Sequence, residues 1–269
     1  MSMTWNHFPA GEKGFFRAPV LVAGAYEALL IDGGFTLEDG RAVATAIKAS
    51  GKRLTTVYVS QSDPDYYFSL GPIRTAFPDA RVIAAPTTVA AIQANVQKKL
   101  EAWGPKLKEN GPQSLSDVVI PTASDERLLL VDGEAIEIVD AEGLANRRYL
   151  WVPSLRAIFG GVLVFSGVHV WTADTPTAEQ RLAWLRNLDA LAARDAQVVI
   201  PGHVADGSAT DSSAIAYTRD YLLAFEDELS KTGDSSALVE GMKSRYPNAG
   251  MGVALDIGAK VAKGEMKWG

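Results

Sequence analysis

Residues 57–69, VYVSQSDPDYYFS, decide how the chain is read. The stretch begins as a strand rich in β-branched and aromatic residues. It runs into a polar, acidic and aromatic cluster, Gln61, Asp63, Asp65, Tyr66 and Tyr67, ahead of a segment that reads as a helix. A sheet holds side chains at such a strand end rigidly at its rim, where functional groups collect. Pro64 fixes the backbone between Asp63 and Asp65. Two carboxylates two residues apart can share a cation, raise one another's pKa, or cap the following helix, and capping is the commonest use of Asp in that position.

Outward from this stretch, short aliphatic and β-branched runs predict strands at 20–23, 28–31, 55–60, 81–84, 127–131, 135–139, 149–152, 157–160 and 197–200. Asp132 and Gly133 separate two of them and predict a two-residue hairpin turn, which requires positive φ at both positions. Helical stripes alternate with the strands. Thr36 and Asp39 have capping-box spacing ahead of Val43 and Ile47, and Val89, Ile92, Val96 and Leu100 fall on one helical face. Pro176 is expected in the first turn of a third helix that buries Leu182, Leu185, Leu188 and Leu191. Tyr221, Leu222, Phe225 and Leu229 mark a fourth, stopped by Gly233, and shorter helical pieces follow Ser235. No linker or repeat divides the sequence, so residues 1–269 are read as one α/β domain with a helical C-terminal tail from about residue 207.

Composition narrows the chemistry. The 269 residues carry 26 Lys and Arg against 32 Asp and Glu, a net charge of −6 that disfavours a nucleic-acid partner. With no Cys and three His, thiolate metal sites, disulfides and a cysteine nucleophile are excluded. Residues 1–16 lack the continuous apolar core of a secretory signal, and the apolar run 158–171 is broken by Ser166 and His169 and is too short to span a membrane. A cytoplasmic protein without membrane partners is expected. G-x-S-x-G, a phosphate-binding P-loop and H-E-x-x-H are absent.

A second polar group follows another strand, where Pro201 and Gly202 precede His203 and place it at a cleft rim. His169 has apolar neighbours, which favours a buried, hydrogen-bonded ring, and His7 is incidental. Trp103 begins a polar stretch running to Pro121 that reads as a pocket wall or as a surface loop anchored by one Trp. Lysines 98, 99, 106 and 108 alternate with acidic residues and read as a solvated face.

In order and spacing, LIDGG at 30–34, DPDYYF at 63–68 and IPGH at 200–203 resemble the metallo-β-lactamase-fold hydrolases over roughly residues 18–204. The resemblance implies a four-layer αββα sandwich. The family's H-x-H-x-D-H motif aligns with residues 61–66, where Asp65 alone is retained; Gln61, Asp63 and Tyr66 stand in place of the three histidines. Leu144 and Val162 replace two further ligands, His203 is kept, and Asp32 matches an early supporting aspartate. A dizinc site is therefore not expected. The cofactor is either none or one divalent ion, bound weakly at Asp65, His203 and Tyr66, where oxygen donors including Asp63 would suit Mn, Mg or Fe.

The expectation is a hydrolase-like protein acting on a small molecule such as an ester or lactone. Its catalytic candidates are Asp65, His203, Asp63 and Tyr66, with Gln61, Tyr67, His169 and Trp103 contacting the substrate. The alternative is an inactive member of the fold that binds a small ligand or protein partner. Self-association into a homo-oligomer is left open.

Overall fold

The computed structural model describes residues 3–268. Six strands form the first sheet in chain order: β1 (Thr4–His7), β2 (Val20–Ala23), β3 (Glu27–Ile31), β4 (Arg53–Val59), β5 (Arg81–Ala84) and β6 (Thr122–Ala123). The first three are antiparallel and the rest run parallel to β3. Helices α1 (Leu37–Ser50), α2 (Leu70–Ala76) and α3 (Pro86–Leu107) connect the parallel strands. The chain continues through β7 (Leu128–Val131), β8 (Glu134–Asp140), β9 (Arg148–Val152), β10 (Ala157–Phe159), β11 (Phe165–Ser166), α4 (Ala178–Ala192), β12 (Val198–Val199) and β13 (His203–Val204). The second sheet has the order β12-β10-β9-β8-β7, while β11 and β13 form a separate parallel pair. Helices α5 (Ser212–Lys231), α6 (Ser235–Arg245) and α7 (Gly252–Ala262) follow.

Alternation along the strands builds the layers. Val20, Val22, Leu29, Ile31, Tyr58 and Ile83 face β7–β10 in the core between the two sheets. Their neighbours Leu21, Ala23, Leu30, Val57 and Val82 point the other way, into the core shared with α1–α3. On the outer face of the second sheet, Tyr149, Ile158 and Val199 share a core with Trp184 and Leu188 of α4 and Phe225 of α5. The result is the expected αββα order.

All nine expected strands form, and Asp132 and Gly133 adopt φ of 49° and 83° in the turn joining β7 to β8. Short or fringe strands β1, β6, β11 and β13 were not expected, because two residues carry no periodicity and β1 lies half-exposed at an edge. The α1 capping box is present, with Asp39 N–H donating to Thr36 Oγ1 at 3.1 Å. Helix α4 corrects the expectation in two respects. Thr177 is its N-cap, so Pro176 lies before the cap rather than in the first turn. Leu182 is 53% exposed, and Arg181 and Trp184 take the buried face instead. Among the described residues no helix is long and apolar enough to cross a membrane.

Candidate functional site

The site forms where β4 and β13 end and where the segment before β2 crosses them. Phe15 and Phe16 both adopt φ of 56°, a left-handed conformation that bulky residues avoid unless the surroundings impose it. The bend aims the Phe15 carbonyl at His203 and turns the Arg17 side chain inward. His203 Nδ1 lies 2.7 Å from Phe15 O. A carbonyl only accepts, so Nδ1 carries the proton and Nε2 keeps its lone pair. The ring is 3% exposed and stacks on Phe165, with centroids 5.0 Å apart and planes 6° from parallel.

Arg17 is fully buried and fixes the floor. Its Nε donates to Asp65 O at 3.2 Å, Nη1 donates to Gly202 O, and Nη2 donates to Asp32 Oδ2 at 3.3 Å. The guanidinium carbon also sits 3.5 Å above the Tyr66 ring centroid. Asp32, at φ 64°, accepts from Ser60 N at 2.6 Å and Ser60 Oγ at 2.7 Å, while Ser60 Oγ accepts from Gly161 N at 2.9 Å. These bonds join β3, β4 and the residues after β10 into one buried polar network.

Pro64 starts a short 3₁₀ turn that presents Asp63 and Asp65 on the same side. Asp63 occupies the N-cap position, but its carboxylate caps nothing. Instead it lies 3.5 Å from Lys99 Nζ, which corrects both the capping expectation and the reading of Lys99 as purely solvated. Lys99 and Trp103, one turn apart on α3, both face this space. Phe15 and Phe35 pack edge-on to Trp103 at 5.3 and 5.2 Å. Across the opening, Trp171 meets Trp268 at 5.0 Å, and Met251 and Ile257 complete the wall.

The space is an open cleft of about 80 Å³, room for several waters. Asp63, Asp65 and His203 line it along with these aromatic rings. Asp65 Oδ2 stands 3.7 Å from His203 Nε2 and 3.7 Å from Arg17 Nε. Burial, reinforced by the Arg17 charge, pushes His203 down to about 3, so its ring is neutral at physiological pH. Burial raises the Asp65 carboxyl against the pull of Arg17. Asp63 is pushed up to about 7 by burial and by the charges of Asp174 and Asp65, with Lys99 opposing. Beneath the floor, the buried Arg147 stacks on Trp184 at 4.1 Å and reaches Asp174 at 3.9 Å.

Among the residues expected from sequence, Asp63, Asp65, Tyr66, His203 and Trp103 come together around this space, and three do not line it. Gln61 Oε1 accepts from Ser62 N at 2.6 Å. Tyr67 is buried with its hydroxyl unpartnered. His169 Nδ1 is 2.9 Å from the Tyr221 hydroxyl, in a cluster with Tyr217 and Tyr246. Tyr66 is present but committed: its hydroxyl donates to Gly161 O at 3.1 Å, and burial raises its pKa well above the ordinary phenol value. The Tyr66 hydroxyl is therefore free neither to hold an ion as a phenolate nor to donate to a substrate, which corrects its place in the expected weak ion site.

The residues do not fit a zinc ion. Leu144 and Val162, which the resemblance aligns with two ligands, are buried apolar groups, Gln61 Oε1 and the Tyr66 hydroxyl are engaged, and the Arg17 guanidinium lies against Asp65. Among the described residues no three His, Asp or Glu side chains form a metal-binding group. Sequence reasoning missed Arg17, Phe15, Arg147 and Asp174. Only Arg17 left a signal, a lone charge in the apolar run 15–23.

No family profile and no curated protein matches the sequence. Solved structures do. A metallo-β-lactamase family protein from Thermus thermophilus superposes with TM-score 0.65 at 18% identity, over 97% of this chain and 91% of that one. A metallo-β-lactamase from Pontibacter korlensis gives TM-score 0.54 at 19% identity, over 77% and 87%. The DIM-1 metallo-β-lactamase exposed to ceftazidime gives 0.56 at 18% identity, over 82% and 93%. At these identities the backbone is what is shared, and this chain has the metallo-β-lactamase fold.

Proposed function

We propose that the cleft binds a small, mainly apolar molecule and hydrolyses an activated ester or lactone bond in it without a metal ion. The observation that carries this reading is the free Nε2 of His203, facing Asp65 at 3.7 Å in an aromatic-walled space. Nε2 takes a proton from the water that attacks the carbonyl carbon, the imidazolium so formed lies beside Asp65, and it returns the proton to the departing oxygen as the acyl C–O bond breaks. The Lys99 ammonium is the cationic donor lining the cleft and faces the developing oxyanion. A base held near pKa 3 is weak, so the substrate bond must be an activated one rather than an unactivated amide.

The test is turnover of a panel of p-nitrophenyl esters and aromatic lactones by the native protein and by His203→Gln. A loss of about 100-fold or more is expected, the range general base catalysis supplies. Unchanged turnover in the variant would overturn the assignment. A second reading is favoured by the committed Tyr66 hydroxyl and the depressed basicity of His203: the cleft holds its ligand without turning it over.

A further inference from the structure

We infer that the cleft selects a protonated amine carried on an aromatic body. This rests on the reading that the cleft is the functional site, and it is independent of whether turnover follows. Three of the groups that face the space, the Asp63 and Asp65 carboxyls and His203 Nε2, can accept from an entering donor. His203 is nine-tenths buried or more, and its Nε2 has no hydrogen-bond partner among the described residues. That lone pair is open to a donor entering the cleft.

The Lys99 ammonium, which lines the space, is already 3.5 Å from Asp63, and the donors of Arg17 that reach the floor are spent on Asp32, Asp65 and Gly202. Of the charged side chains that line the space itself, two are carboxyls, Asp63 and Asp65, and one is an ammonium, Lys99. A cation entering the space favours the charged form of both carboxyls, which burial disfavours, whereas an anion opposes it.

The walls favour the same ligand. Phe15, Phe35, Trp103, Trp171 and Trp268 surround the space, and ring faces attract cations. Two of these rings already hold one: Lys106 lies 4.3 Å over Trp103 and Lys99 lies 5.2 Å over Trp268.

The test compares three probes of one shape, benzylamine, benzyl alcohol and benzoate, by calorimetry at pH 7. Benzylamine is expected to bind about tenfold more tightly than the alcohol, and benzoate most weakly. Asp63→Asn, checked for native folding by near-ultraviolet circular dichroism, is expected to lose about tenfold for benzylamine and little for the alcohol. Lys99→Met, which removes the competing ammonium, retains or strengthens benzylamine binding. Tightest binding by benzoate with loss in Lys99→Met would overturn the inference. So would equal affinity for amine and alcohol, or no binding by any probe. Amine binding together with absent ester turnover would overturn the hydrolytic reading alone.

Discussion

At the scale of single residues, Asp63 and His203 pull stability in opposite directions with pH. The His203 ring is lowered from 6.5 to about 3, so between those values the unfolded chain takes a proton that the folded chain refuses. Its contribution is fully present above pH 6.5 and is lost as pH falls toward 3. Asp63 is raised from 3.8 to about 7, so the folded chain keeps a proton that the unfolded chain has lost. Its contribution is present at acid pH and lost as pH rises toward 7. Asp63→Asn removes only the second effect. The difference in melting temperature between that variant and the native protein is therefore expected to grow in the variant's favour from about pH 4 to 7 and to stay flat above. A constant difference across that range would contradict the environment assigned to Asp63. The acidic pair was legible in the sequence, but what balances it was not. Arg17 and Lys99 come from distant segments, before β2 and on α3, and only tertiary packing brings them to Asp65 and Asp63.

At the scale of elements, local signals read well wherever the chemistry is short-range. The Thr36–Asp39 capping box and the Asp132–Gly133 turn need only their own neighbours, and both formed as expected. Helix α4 was misread because Leu182 has helical spacing with the buried leucines, while Arg181 outcompetes it by reaching Glu226 and Thr175 O. The close packing of α1 against the start of α2 left no periodic signal. There Gly40 comes so near that an added Cβ would stand 2.1 Å from Ser69 O. Gly40→Ala is expected to lower stability by about 1–3 kcal/mol, as overpacking does, despite the better helix propensity of Ala. Urea unfolding reads this directly, and an unchanged or raised midpoint would show that the two helices can separate without cost.

At the scale of the whole molecule, the layers and the gathering of Asp63, Asp65 and His203 around one candidate site were legible because alternation along strands and polar residues at strand ends are imposed by the sheet itself. The interior of the site was not. In a fold shared with solved metallo-β-lactamases, the buried guanidinium of Arg17 and the carbonyl of Phe15 organise Asp65 and His203. The central claim is that His203 is a neutral base with a free Nε2, held by the fold rather than by an ion. Three histidines in the chain make it directly observable by ring nitrogen-15 NMR, assigned with His7→Gln and His169→Gln variants. From about pH 8 to 5, His203 is expected to remain neutral and protonated at Nδ1, with no change when one equivalent of zinc is added. Titration of His203 between about pH 6 and 7, or a zinc-dependent shift of its Nε2, would contradict it.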